Sequence, residues 1–305
     1  MNVNRAVTVL TVLAGLPLIV QAQPPGVEKM EIVTEKVAEG VYMLKGEGGN
    51  IGLSVGEEAV FLVDDQYAPV TLKVKAAVAS LTDKPVKFVL NTHWHGDHTG
   101  GNENLGLGGT LIVAHDSVRV RMSTEQFIVF FNEKVPPAPR VALPVVTFND
   151  TVTFHLNGEE IHAFHVAPAH TDGDAAVHFR KANVVHTGDL FFNGMYPFID
   201  VDSGGSVAGM IAAAEKLLAT VVREDTRIIP GHGPLATRAD YKAFRDMLAA
   251  VRDRMKPLVD AGRSLEQVVA AKPTAAQDAR WGGGFIKPDQ FVGLVYSDLV
   301  RARKK

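Results

Sequence analysis

Residues 91–102 read NTHWHGDHTGGN and follow directly on the apolar run VKFVL. His93, His95, Asp97 and His98 fall within six positions. Such a crowd costs desolvation and mutual repulsion unless a cation draws it together, so a fold that uses it has to bring further donors to this point. A strand sends alternate side chains the same way, so His93 and His95, just beyond one, can aim at a common centre while Asp97 and His98 face a second beside it. Two centres need more than four donors. Three later segments offer them, each at the end of a strand-like run and beside Gly or Pro, where backbone comes close to a ligand. They are VAPAHTDGD with His170, VVHTGDLFF with Asp189 and RIIPGHGP with His232. With the first cluster they make an inventory of seven.

The hydrophobic pattern between these segments sets the architecture. From Met30 to Asp65, MEIVTEKV, GVYMLKG, NIGLSV and AVFLVD alternate with Gly-containing turns and read as an antiparallel meander. PVTLKVKAAVASLTDKP has helical spacing, with Pro69 near its start and Pro85 past its end, and leads into VKFVL. A second strand–helix unit is expected from TLIVAH and the long segment DSVRVRMSTEQFIVFFNEK, which stops at PPAPR. The second half repeats the recipe, with strands TVTFHL, EEIHAFHV, AAVHFRK, NVVHTGD and RIIPGHG and helices SVAGMIAAAEKLLATVV and RADYKAFRDMLAAVRDRM. In the last of these, Tyr241, Phe244, Leu248, Val251 and Met255 step by three and four, a stripe that should lie on a sheet. Strands followed by helices in both halves predict an α/β fold of two face-to-face sheets with helices outside, in one domain.

At the N-terminus, MNVNR precedes fifteen uncharged residues, Ala6 to Val20, and then QAQ. This reads as a secretory leader, residues 1–22, cut after Ala22 to leave 23–305. The run is shorter than the ~20 residues of a spanning helix and holds Pro17, so no membrane attachment is expected once it is removed. Export places the protein in the periplasm or outside the cell. The absence of cysteine fits an oxidising compartment without disulfides, stability then coming from the core. Lys plus Arg number 31 against 34 Asp plus Glu, which leaves no global field for nucleic acid and favours a small-molecule partner. The RARKK tail reads as a solvated helix end.

The order THWHGDH, AHTDGD, TGD and PGHG resembles the metallo-β-lactamase-fold superfamily of metal-dependent hydrolases over nearly all of residues 23–305. The resemblance implies a four-layer αβ/βα sandwich with a dinuclear centre at one edge. Carried over motif by motif, it makes His93, His95 and His170 ligands of one divalent ion and Asp97, His98 and His232 ligands of the other, with Asp189 near or between both. It places Asp64, in FLVDD, behind a ligand as support. Asp97 and Asp189 are the catalytic carboxylates it suggests. Zinc suits these donors best, and with no thiolate among them iron or manganese also fits.

One departure bears on the substrate. The lactamases closest in layout carry cysteine where this chain has Asp189, and a substrate-holding lysine where it has Phe192. The TGD form is similar instead to glyoxalase II, lactonases and phosphodiesterase-like members, whereas the GEGGN turn and the loop after Asp189 look lactamase-like. The expected activity is an exported dinuclear hydrolase whose metal-bound hydroxide attacks the amide or ester carbonyl of a small molecule, a β-lactam or a lactone. A glyoxalase II-like thioester hydrolase and a phosphodiesterase or nuclease are the alternatives, which the leader and the balanced charge count against. Pocket walls are expected from Phe191, Met195, Tyr196 and Phe198 and from GEGGN; RWGGGF is a further rim candidate whose place in space the chain does not state. The six other histidines, 115, 155, 162, 165, 178 and 186, are assigned to structure.

Overall fold

The computed structural model describes residues 26–303, so the leader expected at 1–22 lies outside the described residues. The first sheet begins with the meander β1 (Val33–Ala38), β2 (Val41–Lys45), β3 (Ile51–Val55) and β4 (Val60–Val63), all antiparallel. The helix α1 (Thr71–Ala79) then crosses to β5 (Val86–Asn91), which pairs parallel with β4. Two short helices, α2 (Gly96–Thr99) and α3 (Asn102–Leu107), lead to the parallel strand β6 (Leu111–His115).

The segment after β6 departs from the expected strand–helix unit. Helix α4 covers Asp116–Met122 only, and residues beyond it form an antiparallel hairpin of β7 (Gln126–Ile128) and β8 (Glu133–Val135). The hydroxyls of Ser123 and Thr124 donate back to Val120 O and close the helix, and Phe127 and Ile128 then favour extended chain before a 3-10 turn at Val129–Phe131. The chain then returns as β9 (Val146–Phe148), parallel to β6 at the sheet edge.

The second sheet holds β10 (Thr151–Leu156), β11 (Glu159–His165), β12 (Ala175–Phe179), β13 (Val184–Phe192) and β14 (Arg227–His232), antiparallel except for the β13–β14 pair. Helix α5 (Val207–Thr220) makes that parallel crossover, and α6 (Arg238–Asp260), α7 (Leu265–Ala270), α8 (Asp278–Trp281) and α9 (Pro288–Ala302) follow. Thr237 and Asp240 form a reciprocal cap at the start of α6.

Period-2 burial makes the layers. All four residues of β4 are buried, Val60 and Leu62 on the side of Val74 and Val78 of α1, Phe61 and Val63 on the side of Ile161, Val177 and Phe179 from the second sheet. On the far side of the second sheet, Val185 and Leu190 of β13 join Met210 and Leu217 of α5 and the expected α6 stripe, whose five side chains are fully buried. The result is helix, sheet, sheet, helix, the four-layer α/β sandwich. The segments after β5 and β11, the end of β14 and the interior of β13 bring the donors to one edge of it.

Candidate metal centre

Seven side chains converge at that edge in two adjoining groups. In the first are His93, His95, His170 and Asp189; in the second, Asp97, His98 and His232. His93 and His95 stand on the loop after β5, which is pinned because Thr92 donates through N and Oγ1 to the two oxygens of Asp64, at 2.7 and 2.8 Å. Asp64 itself takes the left-handed backbone at the end of β4 that turns its carboxylate inward (φ 64°). His95 caps the first turn of α2, so Asp97 and His98 leave on a helical turn toward the second group.

Three ring nitrogens face one another in the first group: His95 Nδ1 lies 3.1 Å from His93 Nε2 and 3.0 Å from His170 Nε2. Asp189 Oδ2 lies 3.7 Å from His93 Nε2 and 3.4 Å from His170 Nε2. In the second group His98 Nε2 and His232 Nε2 are 3.4 Å apart, and Asp97 Oδ2 lies 3.5 and 3.3 Å from them. The other oxygen of Asp189, Oδ1, reaches this group, 3.1 Å from His98 Nε2 and 3.4 Å from His232 Nε2. Its place is tight, because a Cβ on Gly231 would collide with Oδ1, and one on Gly49 would strike the His98 ring.

The outward nitrogens decide what the inward ones can do. His95 Nε2 is 3.0 Å from Asp200 Oδ2, His98 Nδ1 is 2.8 Å from Asp64 Oδ2, and His170 Nδ1 donates to Phe198 O at 2.9 Å. A proton held outward by an acceptor leaves the inward nitrogen as a lone pair. In the first group such lone pairs, on His95 and His170, converge beside Asp189, whose Oδ1 is buried without a hydrogen-bond partner, and that is a donor set suited to a cation. The residues fit divalent metal.

The electrostatics differ between the two groups. Burial drives His170 down to about 4, and burial, then His98, holds His93 well below the usual range. In the second group burial is outweighed: Asp189 and Asp97 lift His232 to about 9 and hold His98 well above its ordinary value. Asp97, despite burial, is drawn to about 2 by His98 and His232, and Asp189 is held far below the carboxylate range by the same two with His93 and His170.

Asp64 stands behind His98, as the sequence implied. Asp189 differs from its expected position at a strand end, lying within β13, just after Gly188 (φ 50°) breaks the register with β14. Two residues escaped the sequence reading. Asp200 holds His95, its own oxygen fixed by Ser203 N at 3.1 Å; the turn sequence DVDSGG was the only local signal. Asp174, inside the AHTDGD motif, accepts from His170 N, Thr171 N and the Thr171 hydroxyl and so shapes the loop that presents His170. Burial pushes it up to about 7 against those donors.

A cavity of about 670 Å³ opens beside His95, Asp97, Asp189 and His232. Phe198 and Glu47 of the GEGGN turn line it, as expected, and Phe285 of RWGGGF, whose place the sequence left open, joins them. Phe191 and Tyr196 do not: both are fully buried, Phe191 against Tyr241 and Phe244, Tyr196 stacked on Phe291 with its hydroxyl on Asp278 Oδ1 at 2.8 Å. Met195 lines a neighbouring crevice instead. Phe192 is buried and stacks beneath the His232 ring, 5.0 Å between centroids. Of the histidines assigned to structure, His165 bonds Asp174 O and His186 bonds Asn50 O.

Residues 44–232 match the family model described as the metallo-beta-lactamase superfamily. The chain is 24% identical over 193 residues to lactamase-like protein aptB of Emericella nidulans, across 61% of this chain and 55% of that protein, so it spans about half of that relative. It is 21% identical over 243 residues to the 2,4-dinitroanisole O-demethylase subunit alpha of a Nocardioides species, across 78% of this chain and 70% of that one. Among solved structures, the DIM-1 metallo-beta-lactamase superposes with a TM-score of 0.58 at 18% identity, covering 72% of this chain and 97% of that one. The sec-alkylsulfatase Pisa1 of Pseudomonas sp. superposes with a TM-score of 0.65 at 16% identity, covering 88% and 50%. The family match runs from β2 to His232, the last of the seven donors, and on that ground the chain belongs to the metallo-β-lactamase superfamily.

Proposed function

We propose that the protein is a dinuclear-metal hydrolase acting on the ester or amide carbonyl of a small molecule, with lactones and β-lactams the first substrates to try. The observation that carries this reading is Asp189, whose two oxygens face two different donor groups. One ion would be held by His93, His95, His170 and Asp189, and a second by Asp97, His98, His232 and Asp189. We assign zinc from the histidine and carboxylate donors, iron and manganese being accepted by the same thiolate-free set. Bound there, two divalent ions lower the pKa of water and polarise a carbonyl oxygen.

The chain's own groups do the rest. Asp200 keeps the His95 ring oriented, and Asp64 the His98 ring. Asp97 is the carboxylate more open to the cavity, its side chain 21% exposed against 5% for Asp189, so it is the one placed to take a proton from the attacking water and pass it to solvent. Asp189, with both oxygens turned to the donor groups, orients the centre. Trp94, Phe198 and Phe285 wall the cavity against bulk water.

The names of the relatives span ether and sulfate-ester chemistry, so the fold alone leaves the scissile bond open. The deciding experiment sets residues 23–305, expressed with zinc, against chromogenic β-lactam, lactone, thioester and phosphodiester substrates, with and without chelator. The expected result is close to two metal ions per chain by elemental analysis, and chelator-sensitive turnover of an ester or amide. Trace metal alone, or turnover indifferent to chelator, would overturn the reading. Asp189→Ala should lose the second ion first, three histidines remaining for the other, and should drop turnover by orders of magnitude; both metals retained with near-normal turnover would remove Asp189 from the centre.

A further inference from the structure

The cavity beside the donor groups is walled on one side by the β7–β8 hairpin and the proline run after it. Ile128, Phe131, Val135 and Pro137 present an apolar face there, with Trp94 and Phe198 at the end nearer the donors. An apolar trough of this size suits an alkyl or aryl arm of a substrate whose reacting carbonyl sits at Asp97 and Asp189.

Its charges are one-sided. Among the described residues that line the cavity, Arg121 is the sole Lys or Arg, and its guanidinium is already committed. Nε and Nη2 donate to the two oxygens of Asp172, each at 2.7 Å, and Nη1 donates to Gln126 Oε1 at 3.0 Å. A bidentate pair of that geometry has no fork left for a substrate carboxylate. Lys45, at the adjoining crevice, is paired with Glu35 at 2.7 Å, Lys134, on the hairpin, with Glu125 at 2.8 Å, and Lys287, beyond the Phe285 rim, donates to the carbonyls of Gly283 and Gly284. Glu47 and Glu103, both exposed, add carboxylates to the mouth. Phe192, buried under His232, offers no cation from below.

We propose that this site takes an uncharged or cationic ester, lactone or amide with an apolar arm, and that it rejects substrates carrying a carboxylate on that arm. The assignment rests on the hydrolase reading for the word substrate, and on the cavity alone for the charge preference. It predicts that, among β-lactams and lactones, those with a carboxylate on the arm lying in the trough turn over more slowly than their uncharged counterparts.

Two measurements on the metal-loaded protein separate the charge preference from the activity. In the first, three chromogenic esters of equal chain length, ending in methyl, trimethylammonium or carboxylate, are compared by kcat/KM. The methyl and trimethylammonium esters should exceed the carboxylate ester by at least about tenfold at low salt, and the ratio should shrink as salt screens the wall. Glu47→Gln combined with Glu103→Gln should reduce that ratio by about threefold or more. Equal turnover of all three, or a ratio untouched by the double substitution, overturns the proposal and leaves the hydrolase reading intact. In the second, calorimetry compares octyltrimethylammonium with octane-1-sulfonate, a poor metal ligand. Tighter binding of the ammonium supports the charge preference even if no ester is turned over, an outcome that would sink the hydrolase reading alone. Equal or tighter binding of the sulfonate overturns the proposal whichever esters react.

Discussion

Asp200 lies 105 residues from His95 in sequence and 3.0 Å from its Nε2 in space. It is nearly buried, and the His95 ring beside it outweighs burial and holds it at about 2, so it stays an ionised acceptor at every working pH. Such an acceptor fixes the tautomer and raises the basicity of the nitrogen on the other side of the ring, and removing one typically costs about 10–100-fold in metal affinity. Asp200→Ala should therefore weaken zinc binding by that order in competition with a chromogenic chelator, with circular dichroism unchanged; unaltered affinity would make Asp200 a loop residue only. A second expectation concerns protons. In the ion-free protein His232 is held at about 9, above its ordinary 6.5, because Asp189 and Asp97 outweigh burial. A raised histidine pKa contributes stability that is full below the unfolded value and is lost as pH climbs through the folded one. Chelated protein should accordingly lose denaturation midpoint between about pH 7 and pH 10, while metal uptake releases protons at neutral pH and tightens as pH rises. Titration in two buffers of different ionisation enthalpy measures the protons, and uptake without release would contradict the charge state assigned to His232.

At the scale of elements, periodicity was legible where one face packs on a single partner. The α6 stripe is the clear case, with Phe244 fully buried between Phe191, at 5.1 Å, and Trp281, at 5.9 Å. Phe244→Ala should cost about 3–5 kcal/mol, read from urea unfolding, while metal content holds, because the cavity it leaves is in the helix-side core and away from the donors. A loss under about 1 kcal/mol would mean that α6 is not clamped to the second sheet as described. Residues 116–134 show the opposite case. DSVRVRM continues into a run that alternates badly for either period, and the hairpin that forms leaves Phe127 and Phe131 about half exposed, at 52% and 46%. Phe131 is held by Phe198 across the cavity at 5.0 Å, a contact with a residue on a distant loop that no local pattern signals.

Over the whole molecule, the sequence by itself determined the sequence-local quantities. The α/β class, the order of strands and helices outside residues 116–135, and the seven candidate donors all follow from period-2 and period-3.6 burial and from polar motifs at the ends of apolar runs. These depend on neighbours a few residues apart, whose spacing the chain states outright. Tertiary structure alone decided which side chains meet across the sandwich. It turned Phe191 and Tyr196 into core and brought Phe285 to the rim. It placed Asp200 behind His95, chose His98 as the ring that Asp64 supports, and set the two oxygens of Asp189 toward different groups. It also closed Arg121 on Asp172, which leaves the cavity without a free guanidinium. The physical reason is that hydrogen-bond and ion-pair partners are chosen by distance after the sheets have packed, and two residues 51 or 105 positions apart carry no spacing from which that distance can be read.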